Sequence, residues 1–418
     1  MAGPGIDTPR SAVVVGAGIV GLSAAWFLQD RGVHVTVVER DEVGAGASWG
    51  NAGWVSPGLA MPLTSPHVLS EGLRGLVSAR APLSIPARPD PRLWSFLLRF
   101  AAHCSTRHWR RAVESSLPLL AESLPAYDTL ARGGVEIEAQ ETSIVAGFRT
   151  PREAEALRRE LALVRRIGVP VEFDELDRDE LHALRPQLSS RVVAGVRLEG
   201  QRFLDPGAFL DRLAQAVVGR GATIRSRFTV ATVSARRDRV AVFPTEGPPV
   251  SADVAVIATG AHLDDLVRPR GVRTRVRAGR GYSFSVPTDV PVAGPIYLPG
   301  ARVACTPYRG RLRVAGTMEF RAPDEPVDVE RVDAIVESAR ELLTGVRWDE
   351  RSHPWVGARP VTADALPLVG ATRTPGVYVA GGHGMWGVTL GPVTGRLLAE
   401  QITTGKRPPE LAPFDPLR

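Results

Sequence analysis

The residues with the plainest chemical meaning are Gly16, Gly18 and Gly21, in the run Gly16-Ala17-Gly18-Ile19-Val20-Gly21, and the acid Glu39 further on. Ahead of the glycines lies S-A-V-V-V-G, a continuous apolar run from Ser11 of the kind that forms a strand buried on both faces. After them Leu22, Ala25, Trp26 and Leu28 recur at helical spacing up to Gly32. Residues 33–38 then make a second apolar strand, closed by Glu39 and Arg40. Strand, glycine turn, helix, strand, acid is the complete dinucleotide-binding unit. Gly16 permits the tight turn, Gly18 lets the backbone approach a pyrophosphate, and Gly21 lets helix and strand pack closely. The helix N-terminus offers N–H groups and positive dipole to phosphates, and Glu39 stands where a carboxylate accepts hydrogen bonds from ribose hydroxyls.

This unit alone suits NAD or FAD, and three features favour FAD. The unit stands at the N-terminus. A late apolar strand, D-V-A-V-I-A over residues 253–258, runs into Thr259-Gly260. A further strand, G-V-Y-V-A over residues 376–380, opens into Gly381-Gly382-His383-Gly384-Met385-Trp386-Gly387. Val393, Leu397, Leu398 and Ile402 then share one face of a helix. A glycine turn feeding a helix can aim N–H groups and dipole at the flavin N1–C2=O edge, which becomes negative on reduction.

Composition removes other classes. The 418 residues are 44% hydrophobic and 23% charged, which suits a globular chain of two or three domains. Of 51 basic residues only Lys406 is a lysine, and it lies near the C-terminus. That weighs against phosphate-loop ATPases and lysine-aldimine chemistry. Cys104 and Cys305 are too few for a disulfide framework or a metal cluster, so no metal is expected. No apolar run reaches the ~18 residues of a membrane span. The N-terminus lacks the apolar core of a secretion signal, so the expected location is the cytoplasm. Residues 72–113 carry Arg74, Arg80, Arg88, Arg92, Arg99, Arg107, Arg110 and Arg111 against the single acid Asp90, interleaved with Trp94, Phe96, Phe100 and Trp109. A basic, aromatic, amphipathic helix there suits an anionic membrane surface; the same pattern also suits a solvated basic face.

With these segments in place, the sequence resembles the D-amino acid oxidase/dehydrogenase family of FAD enzymes, the glycine oxidase-like group, and within it the branch of bacterial D-amino acid dehydrogenases. Residues 44–57 (G-A-G-A-S-W-G-N-A-G-W-V-S-P) look like the family's second flavin-contacting loop. Residues 355–370 match its late motif and residues 381–394 its terminal one. Gly281-Tyr282-Ser283-Phe284 and Gly316-Thr317-Met318-Glu319-Phe320 match more loosely. Carried over by position, the resemblance implies that Ile19, Val20, Glu39, Arg40, Ala47, Ser48, Ala52, Gly53 and Trp54 lie along the FAD beside the three glycines. It implies that Val230 touches the adenine side, and that His383, Gly384, Met385, Trp386, Gly387, Val388 and Thr389 line the isoalloxazine. Arg359 falls where family members hold the substrate carboxylate, a task that suits a planar guanidinium. By itself it reads as one of fifty arginines in a salt bridge. Tyr282 is either a second carboxylate partner or a core aromatic. His383 reads as a structural histidine rather than a general base, since an α-hydride can pass to flavin N5 without one. Some members hold flavin through a late cysteine; none follows Cys305, so the FAD is expected to be non-covalent.

The implied function is oxidative deamination of an amino acid, with a D-amino acid preferred: hydride moves from Cα to flavin N5, and the imino acid hydrolyses to a 2-oxo acid and ammonia. Electrons pass to quinone or another acceptor, with peripheral contact at the inner face of the cell membrane. Secondary amines (sarcosine, proline, hydroxyproline) are the nearest alternative substrates. An FAD-containing RNA-binding or modifying protein is the rival of another class; no RNA-binding motif is evident and no nucleic-acid partner is expected.

These residues call for an α/β fold: a Rossmann-like FAD-binding domain in discontinuous segments, 1–60, 200–266 and 350–418, with an α+β antiparallel-sheet substrate-binding domain from 61–199 and 267–349. The pattern predicts a helix carrying Phe209, Leu210, Leu213, Ala216 and Val217, and strands near 224–233 and 240–243. It also predicts helices at about 92–130 and 152–167 and strands across 272–320. Flavin is expected at the floor of a crevice shared by the two domains, with the substrate pocket above it.

Overall fold

The computed structural model describes residues 8–75, 81–86, 89–236 and 239–418, with backbone alone for residues 70, 71 and 73–75. Strand Ser11–Val15 leads through the glycine turn into helix Ile19–Asp30 and strand His34–Val38. The two strands pair in parallel, Ala12 opposite Val35, and Ser11–Val15 pairs on its other side with Val254–Ile257. Val13, Val14, Val256 and Ile257 are buried, as expected for a sheet covered on both faces. The parallel sheet extends to Thr223–Arg225 at one edge and through Val377–Gly381 to the antiparallel Leu368–Ala371 at the other. Gly16 has φ 111°, and a Cβ there would stand 2.5 Å from the Ala258 carbonyl oxygen. A Cβ on Gly21 would stand 1.9 Å from the Gly16 carbonyl oxygen, so only glycines let the helix begin this close to the sheet.

Helix Ile19–Asp30 lies along the C-terminal helix Gly387–Thr404. Gly391 packs against Ile19 and Val20, and Gly395 against the backbone of Ser23 and Ala24. Contacts that advance together on both chains mean that the helices run parallel, with both N-termini at the same end.

The second large sheet is mixed. Strand Ser352–Thr362 pairs with Val276–Val286, and the order continues through Arg311–Phe320, Val303–Tyr308, Ile296–Leu298, Ile144–Phe148 and Ala194–Glu199 to Glu172–Leu176. Leu83–Ser84 pairs alongside Arg311–Phe320. A three-stranded meander runs over Val230–Arg236, Arg239–Pro244 and Val250–Ala252, and Trp54–Val55, Arg202–Phe203 and Gln140–Glu141 form a small sheet.

The structure refines the expected elements where local chemistry intervenes. The helical region 92–130 is three helices, Pro91–His103, Thr106–Ala121 and Ser123–Arg132. The Asp90 carboxylate accepts from the N–H groups of Arg92 and Leu93, and the Ser105 hydroxyl from that of His108, so a new helix starts at each. The strand region 224–233 is two strands in different sheets. The chain leaves the parallel sheet after Arg225, turns at Arg227 with φ 57°, and starts the meander at Val230. Strand Ser352–Thr362, which the sequence division groups with segment 350–418, is hydrogen-bonded into the mixed sheet. Among the described residues no helix is long and apolar enough to cross a membrane.

Candidate active site

The hydrogen bonds of the first glycine turn decide which of its groups a cofactor could meet. Gly18 is the N-cap of helix Ile19–Asp30; having no side chain, it makes no cap bond of its own, and no acid stands in the first turn. Ile19 N–H donates to Ser48 Oγ (3.2 Å), which ties the turn to the following loop. A Cβ on Gly18 would meet only Ser48 Oγ, at 3.4 Å. Glu39 accepts from Ala17 N–H (2.7 Å) and Asp41 N–H (3.0 Å), one bond on each carboxylate oxygen, so each retains a lone pair. Nearby, the buried Thr259 hydroxyl has no partner among the described residues. An uncapped helix start, an open backbone and a fixed carboxylate fit the pyrophosphate and ribose of FAD. The Arg40 guanidinium pairs with Asp41 (2.9 Å), Asp324 (3.1 Å) and His262 (3.1 Å). Val230 is half-buried at the start of the meander, two residues beyond Phe228, whose N–H donates to Glu39 O (2.7 Å).

The loop after Glu39 and the terminal glycine turn are locked together. The Thr389 hydroxyl accepts from Ser56 N–H (3.2 Å) and lies 3.1 Å from Trp54 O. Trp54 Nε1–H donates to Thr306 Oγ1 (2.8 Å), and the hydroxyls of Thr306 and Tyr308 both donate to Ala52 O. Gly53 has φ 76°, and a Cβ on it would strike the Tyr308 hydroxyl. Gly384 N–H donates to Pro360 O (2.9 Å), Val388 O accepts from the Tyr127 hydroxyl (2.6 Å), and Trp386 Nε1–H donates to Met61 O (2.8 Å). Gly387 begins the C-terminal helix, which again has no side-chain cap and no acid in its first turn. His383 is buried, with Nε2 2.9 Å from Thr394 Oγ1 and Nδ1 without a partner among the described residues. Burial pushes its pKa down to about 4, so the ring is neutral at pH 7 and a weak base.

Ala47, Ala52, Trp54, Met385 and Trp386 line a cavity of about 750 Å³, whose wall also includes Arg359. Arg359 belongs to strand Ser352–Thr362, and its guanidinium lies on Gly281 of the neighbouring strand. A Cβ at Gly281 would stand 2.1 Å from Arg359 Cζ. Its Nη1 donates to Thr317 O (3.1 Å), and no carboxylate pairs with it among the described residues. Burial lowers its pKa to about 10, which still leaves it charged at neutral pH. A desolvated cation on a cavity wall, with no carboxylate paired to it among the described residues, is a binding group for an anion. Tyr282 borders the same cavity, but its hydroxyl donates to Glu319, and burial together with Glu319 raises the phenol above its ordinary range. Its proton is committed to Glu319 and its oxygen is left as an acceptor, the wrong polarity for a substrate carboxylate.

The predicted residues thus form three neighbouring groups rather than one ring: the first turn with Glu39, the loop clamped to the terminal turn, and the cavity wall. Val230 and the Arg40 side chain stay outside the cavity. Sequence reasoning gave no role to Trp355, Thr317 or Glu160, all of which line the cavity. Trp355 and Thr317 stand inside quoted motifs, which is a signal; Glu160, on helix Pro151–Ile167, carries none.

This geometry has relatives. The family model for FAD-dependent oxidoreductases called DAO matches residues 11–401. The chain belongs to this family. As a DAO-family oxidoreductase it is 32% identical over 413 residues to a Methylobacterium radiotolerans protein named D-amino acid dehydrogenase, covering 96% of this chain and 97% of that one. It is 29% identical to the protein of the same name from Agrobacterium fabrum, covering 97% and 98%. Among solved structures, glycine oxidase from Geobacillus kaustophilus superimposes with a TM-score of 0.75 at 23% identity, covering 98% of this chain and 99% of that one. The FAD-bound L-α-glycerophosphate oxidase of Mycoplasma pneumoniae gives 0.74 at 17% identity, covering 96% of each. The structural likenesses establish the α/β fold; FAD as cofactor follows from the family.

Proposed function

We propose that this DAO-family chain is a D-amino acid dehydrogenase, oxidising the Cα–N bond to an imino acid that water converts to a 2-oxo acid and ammonia. The observation that carries this reading is Arg359, a desolvated guanidinium on the wall of a mostly apolar cavity, with no carboxylate paired to it among the described residues. The names of the relatives supply the substrate class. FAD, when bound, supplies the two-electron acceptor. The chain's own residues do the rest. Gly16, Gly18, Gly21 and Glu39 would hold pyrophosphate and ribose, with Ile19, Val20, Ser48, Gly53 and Val230 around them. Ala47, Ala52, Trp54, Met385 and Trp386 would flank the ring, and the uncapped start of helix Gly387–Thr404 would oppose negative charge there. Arg359 would take both carboxylate oxygens and fix the direction of the Cα–H bond. Apolar walls exclude water and favour the neutral amine, the form from which hydride can leave. No base is required of His383, whose protonation is suppressed. The proposed division of labour is 1–60, 200–266 and 350–418 for FAD and 61–199 and 267–349 for substrate, with strand Ser352–Thr362 bringing Arg359 across.

A dehydrogenase needs an electron acceptor, and we infer a quinone reached from a membrane surface. Helix Pro91–His103 turns Trp94 and Leu98 outward, 37% and 72% exposed, beside exposed Arg92 and Arg99. The next helix adds exposed Arg107, Arg110 and Arg111. Of the remaining arginines in this stretch, Arg80, Arg88 and the Arg74 side chain lie outside the described residues.

The test is anaerobic addition of D- and L-amino acids, sarcosine and proline to the purified FAD enzyme. Bleaching of the flavin absorbance by D-amino acids is expected. Bleaching by secondary amines alone would transfer the assignment to them, and no bleaching by any amine would end it.

A further inference from the structure

Beside Arg359 the same strand presents a second surface to the cavity. Trp355 stands four residues earlier, so residues 355, 357 and 359 share one face of the strand. Both Trp355 and Arg359 line the cavity. The indole rests on two glycines from different parts of the chain. A Cβ on Gly357 would stand 2.0 Å from Trp355 Cη2, and a Cβ on Gly50 would stand 2.0 Å from Cδ2. The benzo ring therefore covers Gly357 while the fused bond covers Gly50, and neither position has room for a side chain. Gly357 is the cross-strand partner of Gly281, the glycine covered by the Arg359 guanidinium. Indole and guanidinium thus occupy adjoining places on a sheet surface cleared by glycine. Helix Pro151–Ile167 adds Leu157, Leu161 and Val164 to the apolar part of the cavity wall.

We propose that Trp355 is a specificity-determining residue whose indole receives the substrate side chain, selecting D-amino acids with large apolar side chains, aromatic or branched aliphatic. The proposal rests on the D-amino acid reading above. A substrate anchored by its carboxylate on Arg359 has its side chain within reach of the adjoining surface, and a methyl group is too short to cover it. The two glycines hold the ring in place before substrate arrives, so little rotamer entropy is lost on contact. An aromatic face removed from water by an apolar side chain adds both burial and ring packing. Glu153 and Glu160 also line the cavity, which makes a cationic side chain the competing specificity.

The experiment measures kcat/KM with an artificial dye for D-phenylalanine, D-leucine, D-alanine and D-arginine, using FAD-loaded wild type, Trp355→Leu and Trp355→Phe. Dissociation constants of benzoate and acetate, read from the flavin absorbance, accompany it. Wild type is expected to favour D-phenylalanine and D-leucine over the other two. The ratio of D-phenylalanine to D-alanine should fall about tenfold or more in Trp355→Leu, and by less in Trp355→Phe. Benzoate should weaken more than acetate in both variants. If Trp355→Leu fails to retain FAD, the Trp355→Phe ratios decide alone. Equal losses for every substrate, unchanged ratios, or a wild-type preference for D-arginine would overturn the proposal and leave the D-amino acid reading standing. Wild type that turns over no D-amino acid would overturn that reading itself.

Discussion

At the scale of single residues, the proposed site rests on groups that find few partners among the described residues. Arg359 donates to the carbonyl of Thr317, and Thr317 has φ 51°, an uncommon conformation for a β-branched residue. Such a conformation costs ~1–3 kcal/mol and persists where surrounding structure imposes it; here it turns a carbonyl toward the guanidinium. Arg359→Ala should lower kcat/KM by an amount equivalent to roughly 2–4 kcal/mol, with FAD still bound. Arg359→Lys should also be poor, because an ammonium does not reproduce the two-pronged contact. Near-normal kinetics in both would remove Arg359 from the site. His383 gives a pH prediction. Its ordinary pKa of 6.5 falls to about 4 on burial. Between these values the unfolded chain takes up a proton that the folded chain refuses. The stabilising share is therefore complete above pH 6.5 and is lost as pH falls toward 4, by up to roughly 3 kcal/mol. The thermal midpoint should drop more steeply from pH 7 to 5 in wild type than in His383→Gln; parallel slopes would contradict this.

At the scale of elements, the two helices that meet at the site lack the side-chain cap that starts other helices, a lack that helix Ser123–Arg132 shares. Helices Pro91–His103, Thr106–Ala121, Pro151–Ile167, Pro206–Gly219 and Val329–Arg340 begin on the side chains of Asp90, Ser105, Thr150, Asp205 and Asp328, each accepting backbone N–H groups. Helices Ile19–Asp30 and Gly387–Thr404 begin on Gly18 and Trp386 with no side-chain cap. Apart from Ile19 N–H, which donates to Ser48 Oγ, their first-turn N–H groups and dipoles would be available to a ligand. Two alanine substitutions separate this role from packing. At Gly18 the backbone is ordinary, φ −78°, and a methyl fits the protein at 3.4 Å. Gly18→Ala should keep the FAD-free thermal midpoint and weaken FAD binding about tenfold or more, because the methyl occupies space meant for phosphate. Gly21→Ala meets backbone at 1.9 Å and should lower the midpoint with or without FAD. Flavin-fluorescence titration and thermal melts read both effects; equal FAD affinity in Gly18→Ala and wild type would refute the first.

At the scale of the whole molecule, the parallel sheet and the mixed sheet would each supply half of the proposed chemistry. The glycine turn and Glu39 belong to the former, and Arg359 to an edge strand of the latter. The exposed arginines and the Trp94–Leu98 pair lie on helices beyond both sheets. Each arginine near an anionic leaflet contributes up to ~1 kcal/mol, and shallow insertion of Trp94 and Leu98 adds apolar burial. Binding to anionic liposomes should therefore be measurable at low salt and fall as added salt shortens the Debye length from ~10 to ~3 Å. Enzyme reduced by substrate should be reoxidised faster by quinone than by oxygen. Fast peroxide formation would make it an oxidase, and absence of liposome binding would leave the helices as a solvated basic surface.

The dinucleotide unit was legible in the sequence because its chemistry is local. Gly16, Gly18, Gly21 and Glu39 act within a contiguous strand, turn, helix and strand, where periodicity and φ requirements are written in neighbouring residues. The terminal turn and the FAD class were legible for the same reason, and the family's motifs pointed to Arg359. What surrounds Arg359 was decided only in three dimensions. That it has no paired carboxylate among the described residues, that its guanidinium lies on Gly281, that Trp355 spans Gly50 and Gly357, and that the Tyr282 proton goes to Glu319 all depend on strand register between distant segments. A shift of one residue in that register would turn each of these side chains to the opposite face, and register is set by long-range pairing that no local pattern encodes.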